Sequence, residues 1–267
     1  YYVISGVNSS GESSNSSQAS GMPVATPTGL TASAGTSQVV LSWTASSGAT
    51  SYNVKRGTGS GGPYSTTVAT GVTATNLTDT TVTNGTTYYY VVRAVNGSGE
   101  SGDSSEAGAT PIAIPGGLSV TTGGGSAQLA LSWSAASGAT GYNVKRSSTS
   151  GGAYTTVATV STTGYTDIGL TSGTTYYYVI SGVNSSGESS NSSQVSGMPV
   201  ATPTGLTATA GNKRVTLNWS AAAGANSYNI KRATTDGGPY TTIATGVTET
   251  TYINTGLTRG TTYYYVI

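Results

Sequence analysis

Apolar and polar residues alternate one by one along much of the chain, which is the pattern of half-buried β-strands. Val39, Leu41 and Trp43 are separated by single small or polar residues, and Tyr52 and Val54 follow the same rule on the next segment. Clusters of Gly, Ser and Asn separate these segments, and no stretch has the period of an amphipathic helix. The pattern therefore predicts an all-β chain of short strands joined by turns.

The pattern itself repeats along the chain. The sequence Tyr1-Tyr2-Val3-Ile4 returns in closely similar form at Tyr89, Tyr177 and Tyr264, at intervals of 88, 88 and 87 residues. Each of the intervals contains one tryptophan in the same phase, at Trp43, Trp133 and Trp219. A period of this length is a complete domain rather than the unit of a helical solenoid.

Four segments follow from this period. Residues 1–22 hold the last strands of a partial repeat, 23–111 and 112–199 are complete repeats of seven strands, and 200–267 is a partial repeat that lacks its last strand. Both ends fall in the same structural element, which would leave a sheet edge open. We therefore expect either a window from a longer repetitive chain, or a unit that a neighbour completes in a head-to-tail assembly.

The repeats resemble the fibronectin type III family, in the form found in secreted or surface bacterial proteins. The most specific element is the turn at residues 82–88, VTNGTTY, which returns at 170–176 and 257–263. The resemblance implies tandem immunoglobulin-like antiparallel β-sandwiches. It also implies a tyrosine corner, in which the hydroxyl of Tyr88, Tyr176 or Tyr263 bonds back to nearby backbone.

Composition restricts the chemistry that the chain can perform. It contains no His and no Cys, so an imidazole base, a thiolate nucleophile, a disulfide and the usual zinc sites are excluded. We predict no catalytic residues, no cofactor, no metal and no enzymatic activity. Ten basic residues against nine acidic ones give a net charge of +1, which predicts no nucleic acid partner, and no apolar run predicts membrane insertion of this segment.

Alternation also predicts an outward-facing apolar stripe. If Tyr88 and Tyr90 point into the core, the residues between and after them point outward. The stripe consists of Tyr89, Val91, Tyr177, Val179, Tyr264 and Val266. Packing within the sheet is the simplest interpretation, and contact with a neighbouring module or with a sugar ring is the functional one.

Charged residues have simple structural interpretations. The basic pairs are read as solvated strand positions, with an anionic glycan contact as the alternative; they are Lys55-Arg56, Lys145-Arg146, Lys213-Arg214 and Lys231-Arg232. Three glutamates lie in the loop between the last two strands: Glu12, Glu100 and Glu188. Asn254 stands where the other repeats have Asp79 and Asp167, which favours turn hydrogen bonding over metal or acid–base chemistry.

Two functions fit these observations. The first is a structural region of a long extracellular or cell-surface protein, forming a fibre, a filament or a rod-like adhesive spacer. Its partners would be other copies of itself or neighbouring repeats. The alternative is a set of spacer or accessory modules of a secreted polysaccharide-degrading enzyme, with polysaccharide as the ligand where the modules bind carbohydrate.

Overall fold

A computed structural model describes all 267 residues of the sequence, Tyr1–Ile267. It contains 24 strands, and no helix is present that could cross a membrane. The chain divides into two compact units, the first made of residues 1–115, 135–142 and 181–191 and the second of residues 116–134, 143–180 and 192–267. The predicted all-β fold is confirmed.

The first 22 residues form little regular structure. They contain β1 (Val7–Asn8) and β2 (Gly11–Glu12), which pair with each other, and one isolated bridge between Tyr2 and Ala19. Tyr2 is 76% exposed. At the equivalent position of the next repeat, Tyr90 is fully buried.

Residues 23–111 form two antiparallel sheets. The first sheet contains β3 (Thr28–Gly35), β4 (Gln38–Thr44) and β7 (Asn76–Asp79). The second contains β6 (Thr66–Val72), β5 (Ser51–Gly57), β8 (Tyr88–Asn96) and β10 (Ala107–Ala109) in that order, and β9 (Gly99–Glu100) also pairs with β8.

The core of this sandwich is made by alternate residues of the strands, as the sequence pattern predicts. Val39 and Leu41 are fully buried and Trp43 is 6% exposed. From the second sheet, Tyr52 meets the ring of Trp43 edge-on, with 5.4 Å between ring centroids. Because residues of both sheets belong to one buried cluster, burial of their apolar surface stabilises the pairing of the two layers.

Residues 112–199 have the same arrangement. One sheet contains β11 (Ser119–Thr121), β12 (Leu129–Ser132) and β15 (Gly164–Asp167). The other contains β14 (Thr155–Val160), β13 (Gly141–Ser147), β16 (Tyr176–Asn184) and β18 (Val195–Gly197), and β17 (Gly187–Glu188) is the hairpin partner of β16. A two-residue expansion relative to the other repeats falls around Gly123 to Gly125, in the turn between β11 and β12.

Residues 200–267 form two three-stranded sheets. The first contains β19 (Thr204–Gly211), β20 (Arg214–Ser220) and β23 (Thr251–Thr255). The second contains β22 (Thr241–Val247), β21 (Tyr228–Ala233) and β24 (Tyr264–Val266). Trp219 is again buried, with its ring centroid 5.3 Å from that of Tyr228.

Candidate functional site: the module junctions and their supports

The turn before β8 has the hydrogen bond that the family resemblance implies. The hydroxyl of Tyr88 accepts the backbone N–H of Thr83 at 3.1 Å. The hydroxyls of Tyr176 and Tyr263 accept the equivalent N–H groups of Thr171 and Thr258, each at 3.1 Å. This bond fixes the crossing from one sheet to the other.

Next to this corner lies a buried charged group that joins the two sheets. Asp79, whose side chain has no exposed surface, accepts hydrogen bonds from Arg56 Nη1 at 2.5 Å and from the Tyr90 hydroxyl at 3.0 Å. Its other carboxylate oxygen accepts the Thr81 N–H and hydroxyl. Burial alone raises the pKa of Asp79, but the hydrogen bonds from Thr81, Arg56 and Tyr90 outweigh it and hold this pKa below its ordinary value.

The same network recurs in the other two sandwiches. Arg146 Nη1 lies 2.9 Å from Asp167, which also accepts the Tyr178 hydroxyl at 2.8 Å. In the last repeat the amide oxygen of Asn254 accepts Arg232 Nη1 at 3.0 Å and the Tyr265 hydroxyl at 2.9 Å.

Each of these arginines also lies over the ring of its corner tyrosine, with 4.6 Å from Arg56 Cζ to the Tyr88 centroid. Interpreting Arg56, Arg146 and Arg232 as solvated strand positions was therefore wrong. Their guanidinium groups take part in the network that joins the two sheets. The turn hydrogen bonds expected at Asp79 are present, but they are only part of its role.

The expected outward stripe is interrupted. Val91 is 1% exposed and Val179 is 4% exposed, so neither offers a surface to a partner. Val91 lies opposite Lys55 in the β5–β8 ladder, where the long lysine stem stands beside it. Tyr89, Tyr177, Tyr264 and Val266 are half-buried. Any contact made by this face therefore depends on the tyrosines rather than on a continuous apolar stripe.

The loop between β5 and β6 is held by one residue next to β10. Glu106 accepts the hydroxyls of Ser60 and Tyr64 and the N–H of Gly61. The hydrogen bond to Glu106 is the main cause that raises the pKa of Tyr64 to about 12, and the same bond lowers the pKa of Glu106. In the next repeat Gln194 has this position and bonds to Tyr154 and to the N–H of Gly151.

The linker at residues 110–113 is tied by its backbone to the loops around it, within the first compact unit. Gly85 N–H donates to the carbonyl of Pro111 at 2.9 Å, and Ile112 N–H donates to that of Gly35 at 3.0 Å. Ala113 N–H donates to the Ser137 carbonyl at 2.8 Å. Ile112 is fully buried, so the linker is a packed segment rather than a solvated tether.

A single side-chain amide holds the start of this linker. Asn184, at the end of β16, donates both Nδ2 hydrogens, to the Thr110 carbonyl at 2.9 Å and to the Gly138 carbonyl at 2.8 Å. Gly138 has a φ of +83°, and a Cβ placed there would lie 2.3 Å from the Pro111 oxygen. A glycine is therefore required at this position.

The turn between β3 and β4 also contacts the following repeat. Ala34 N–H donates to the Ser186 carbonyl at 2.8 Å, and Ala34 forms a parallel bridge with Gly187. Ser190 N–H donates to Thr36 Oγ1 at 2.8 Å. Through this bridge β17 lies at the edge of β3, so backbone pairing connects the two repeats there.

The same positions of the repeat are used at the other linkers. In the second compact unit, Gly173 N–H donates to the Pro199 carbonyl at 2.9 Å, and a Cβ on Gly224 would lie 2.6 Å from that oxygen. At residues 22–25, Asn96 Nδ2 donates to the carbonyls of Met22 at 2.9 Å and Gly48 at 3.0 Å. We call the set of Asn96 or Asn184 with its two carbonyl acceptors the linker clamp.

The loop glutamates serve local contacts. Glu100 accepts Asn53 Nδ2 at 2.9 Å and Arg93 Nη1 at 3.2 Å, whereas Glu12 and Glu188 accept the hydroxyls of Ser5 and Ser181. The hydrogen bond from Asn53 is the main cause that lowers the pKa of Glu100. No group of three or more carboxylates is placed to hold a metal ion.

The fibronectin type III domain family matches residues 25–110 and 113–198, more than half of the chain. The chain therefore belongs to the fibronectin type III family, and its repeats are modules of that family.

Among known proteins the chain is similar to parts of much longer ones. An amylopullulanase of Thermoanaerobacterium saccharolyticum is 46% identical over 65 residues, which are 24% of this chain and 5% of that protein. Exoglucanase B of Cellulomonas fimi is 32% identical over 161 residues, 53% of this chain and 14% of that protein. A solved Fn3-like protein from Clostridium thermocellum is 52% identical, with a TM-score of 0.30, and the match covers 33% of this chain and 92% of that one. The chain thus spans only a small part of its enzyme relatives.

Proposed function

We propose that this chain is a non-catalytic structural region of a longer extracellular protein, in which the modules act as a stiff spacer. The observation that carries the proposal is the hydrogen-bonded linker. Pro111, Ile112 and Ala113 each make a backbone bond to a flanking loop, whereas a flexible tether leaves its backbone to water. A spacer of this kind sets the distance between the domains on either side of it.

Gly138 offers a specific test of this stiffness. Gly138→Ala places a methyl group against Pro111 and Gly85, whereas Gly151→Ala introduces the same left-handed strain with no atom within 4 Å. The chain has no native cysteine, so spin labels can be attached at Thr78→Cys and Thr156→Cys, both exposed positions. Pulsed electron paramagnetic resonance then measures the distribution of distances between the two spin labels, one on each module.

We expect a narrow distribution in the parent chain and in Gly151→Ala, and a wider one in Gly138→Ala. A broad distribution in the parent chain would rule out a stiff spacer. Equal widening by both glycine variants would assign the effect to backbone strain and remove the junction contact from the explanation.

A second function is favoured by the relatives, whose names are those of polysaccharide-degrading enzymes. In this alternative the modules are accessory parts of a secreted enzyme, and the half-buried rings of Tyr89 and Tyr177 contact polysaccharide. A tyrosine ring can stack on the apolar face of a sugar. The burial of Val91 and Val179 restricts this contact to isolated rings.

Retention of the chain on insoluble starch and on cellulose tests this alternative. Combining Tyr89→Ala with Tyr177→Ala should reduce retention, while the matched pair Tyr89→Phe and Tyr177→Phe keeps the ring faces and should preserve it. No retention of the parent chain, or equal retention of all three proteins, excludes carbohydrate binding by these tyrosines and leaves the spacer as the remaining role.

A further inference from the structure

The linker clamp at residues 22–25 contains a chemically labile sequence. The chain has two Asn-Gly pairs, Asn84-Gly85 and Asn96-Gly97, and Asn96 is the side chain that holds Met22. In an Asn-Gly pair the glycine nitrogen can attack the asparagine side-chain amide carbon. The reaction is fastest before glycine because no Cβ obstructs the approach.

The two pairs differ in how their glycine nitrogens are held. Gly85 N–H is bonded to the Pro111 carbonyl at 2.9 Å, and Ser137 Oγ lies 2.2 Å from where a Cβ on Gly85 would be. Gly97 is exposed, and no atom lies within 4 Å of the corresponding point. The nitrogen of Gly85 is thus fixed in the junction, whereas that of Gly97 belongs to an open turn.

Water has direct access to Asn96. A cavity of about 440 Å³ opens beside it, lined by residues of the linker and of the β8–β9 turn, among them Met22, Pro23, Ser98 and Gly99. Solvent is needed in the second step of the reaction, which opens the ring. The turn therefore leaves Gly97 outside the packed junction and gives solvent access to Asn96.

From these contacts we propose that Asn96 is a deamidation site and that its conversion releases the linker clamp. The Gly97 nitrogen forms a bond to Asn96 Cγ and loses its proton, while the side-chain nitrogen leaves as ammonia. Water then opens the cyclic imide to aspartate or isoaspartate. No oxidant, reductant or enzyme is required.

The product cannot make the bonds of the clamp. Asn96 Nδ2 donates to the Met22 and Gly48 carbonyls, whereas a carboxylate only accepts hydrogen bonds. After conversion, the carboxylate oxygens of residue 96 face the carbonyl oxygens of Met22 and Gly48, where the N–H donors of Asn96 had been. The linker therefore loses both bonds and gains a repulsion.

Asn184 provides an internal comparison. It holds Thr110 and Gly138 in the same manner, but Ser185 follows it. Its amide oxygen accepts the N–H groups of both Ser186 and Gly187, while that of Asn96 accepts only Ser98 N–H. One clamp is therefore labile and the equivalent clamp in the next repeat is durable.

The test is to incubate the full chain at mildly alkaline pH and map its peptides over time. We expect a mass gain of about 1 Da in the peptide that contains Asn96, with little change in those that contain Asn84 or Asn184. Gly97→Ser, which copies the Asn184-Ser185 sequence, should slow the reaction several-fold. Deamidation of Asn84 at the same rate, or a rate unaffected by Gly97→Ser, would overturn the assignment.

Release of the linker is measured separately by hydrogen exchange. Ala25 N–H is bonded to the Ser47 carbonyl and Met22 N–H to Ser98 Oγ, so both should exchange faster in Asn96→Asp and in the aged protein. The aged Gly97→Ser protein should keep its protection. Unchanged exchange at these two amides in Asn96→Asp would show that the clamp does not hold the linker.

Discussion

The hydroxyl of Tyr90 donates a hydrogen bond of 3.0 Å to the carboxylate of Asp79 in the interior of the first complete module. Tyr178 and Tyr265 make the equivalent bonds to Asp167 and Asn254. Because an amide replaces the carboxylate in one module, the chain itself contains a natural comparison for the contribution of the buried charge. Each module also has a single tryptophan, so fluorine NMR of fluorotryptophan-labelled protein can follow the unfolding of the modules separately.

Replacing Asp79 by Asn should cost more than replacing Asp167. One Asp79 oxygen accepts both the N–H and the hydroxyl of Thr81, and an amide NH2 at that place would face these donors. We expect Asp79→Asn to lower the free energy of unfolding by about 2 kcal/mol. Gly169, which has no hydroxyl, stands in the position of Thr81 in the next module, so Asp167→Asn should cost clearly less. Urea titrations read at Trp43 and Trp133 measure both values, and equal costs would contradict the explanation.

Acid should weaken the module of residues 23–111 through Asp79. The pKa of Asp79 is lower in the folded state than its ordinary value of 3.8, so folding favours the ionised form. This contribution is fully present above pH 3.8 and is lost as the pH falls through the lowered pKa. Asn254 does not titrate, so the signal of Trp219 should show no such loss from this position. If the stabilities reported by Trp43 and Trp219 fell in parallel as the pH was lowered, Asp79 would not be the cause of the acid sensitivity.

The tyrosine corner should contribute through its hydroxyl group. In Tyr88→Phe the N–H of Thr83 loses its acceptor, and because Thr83 is exposed, water can replace it. We therefore expect a cost of about 1 kcal/mol in the unfolding free energy reported by Trp43. Tyr89→Phe removes a hydroxyl from the neighbouring residue, which has no role in the corner, and should leave stability unchanged. A similar loss in both variants would show that the corner bond has no special role.

The hydrogen bond between Tyr64 and Glu106 should be visible in the titration of Tyr64. Its pKa is raised from 10.0 to about 12, so the stability that the protonated phenol contributes is present below pH 10 and is lost as the pH rises through 12. Glu106→Gln copies Gln194 of the next module, removes the negative charge and should move this pKa back toward 10.0. Carbon NMR of labelled tyrosine measures the shift. An unchanged Tyr64 titration would exclude Glu106 as its cause.

Much of the fold follows from the sequence because alternation is a local property. Val39, Leu41 and Trp43 are buried as their spacing predicts, and the turn at residues 82–88 forms the corner hydrogen bond. The interior position of Tyr90 follows from the same alternation. Each of these features depends on residues close together in the chain.

Contacts between sheets and between modules could not be read in this way. Arg56 on β5 and Asp79 on β7 belong to different sheets and meet across the interior of the sandwich. The periodicity of the sequence does not show which residues of the two sheets will face each other. Val91 is buried although alternation places it on the outer face, because alternation gives the direction of a side chain and not what covers it. The linker hydrogen bond joins the N–H of Gly85 to the carbonyl of Pro111. Because both are backbone groups, the identity of the side chains does not predict the bond.

A recurring signal for the junctions was nevertheless present. Asn96 and Asn184 stand at the same position of successive repeats, as do Gly48, Gly138 and Gly224. These residues lie in polar turns, where asparagine and glycine are common for local reasons. The structure distinguishes them by the carbonyl groups that surround them.

One hydrogen bond is common to the three linkers: the N–H groups of Ala25, Ala113 and Ala201 donate to the carbonyl of the residue before Gly48, Gly138 and Gly224. The residues that make this bond recur in every copy of the repeat. A gene that gains or loses a whole copy by unequal crossing-over therefore needs no compensating change at the new boundary. Chains of different length could arise in single genetic steps, each with correctly joined neighbours. The length of an array built from such modules would then change in increments of one module.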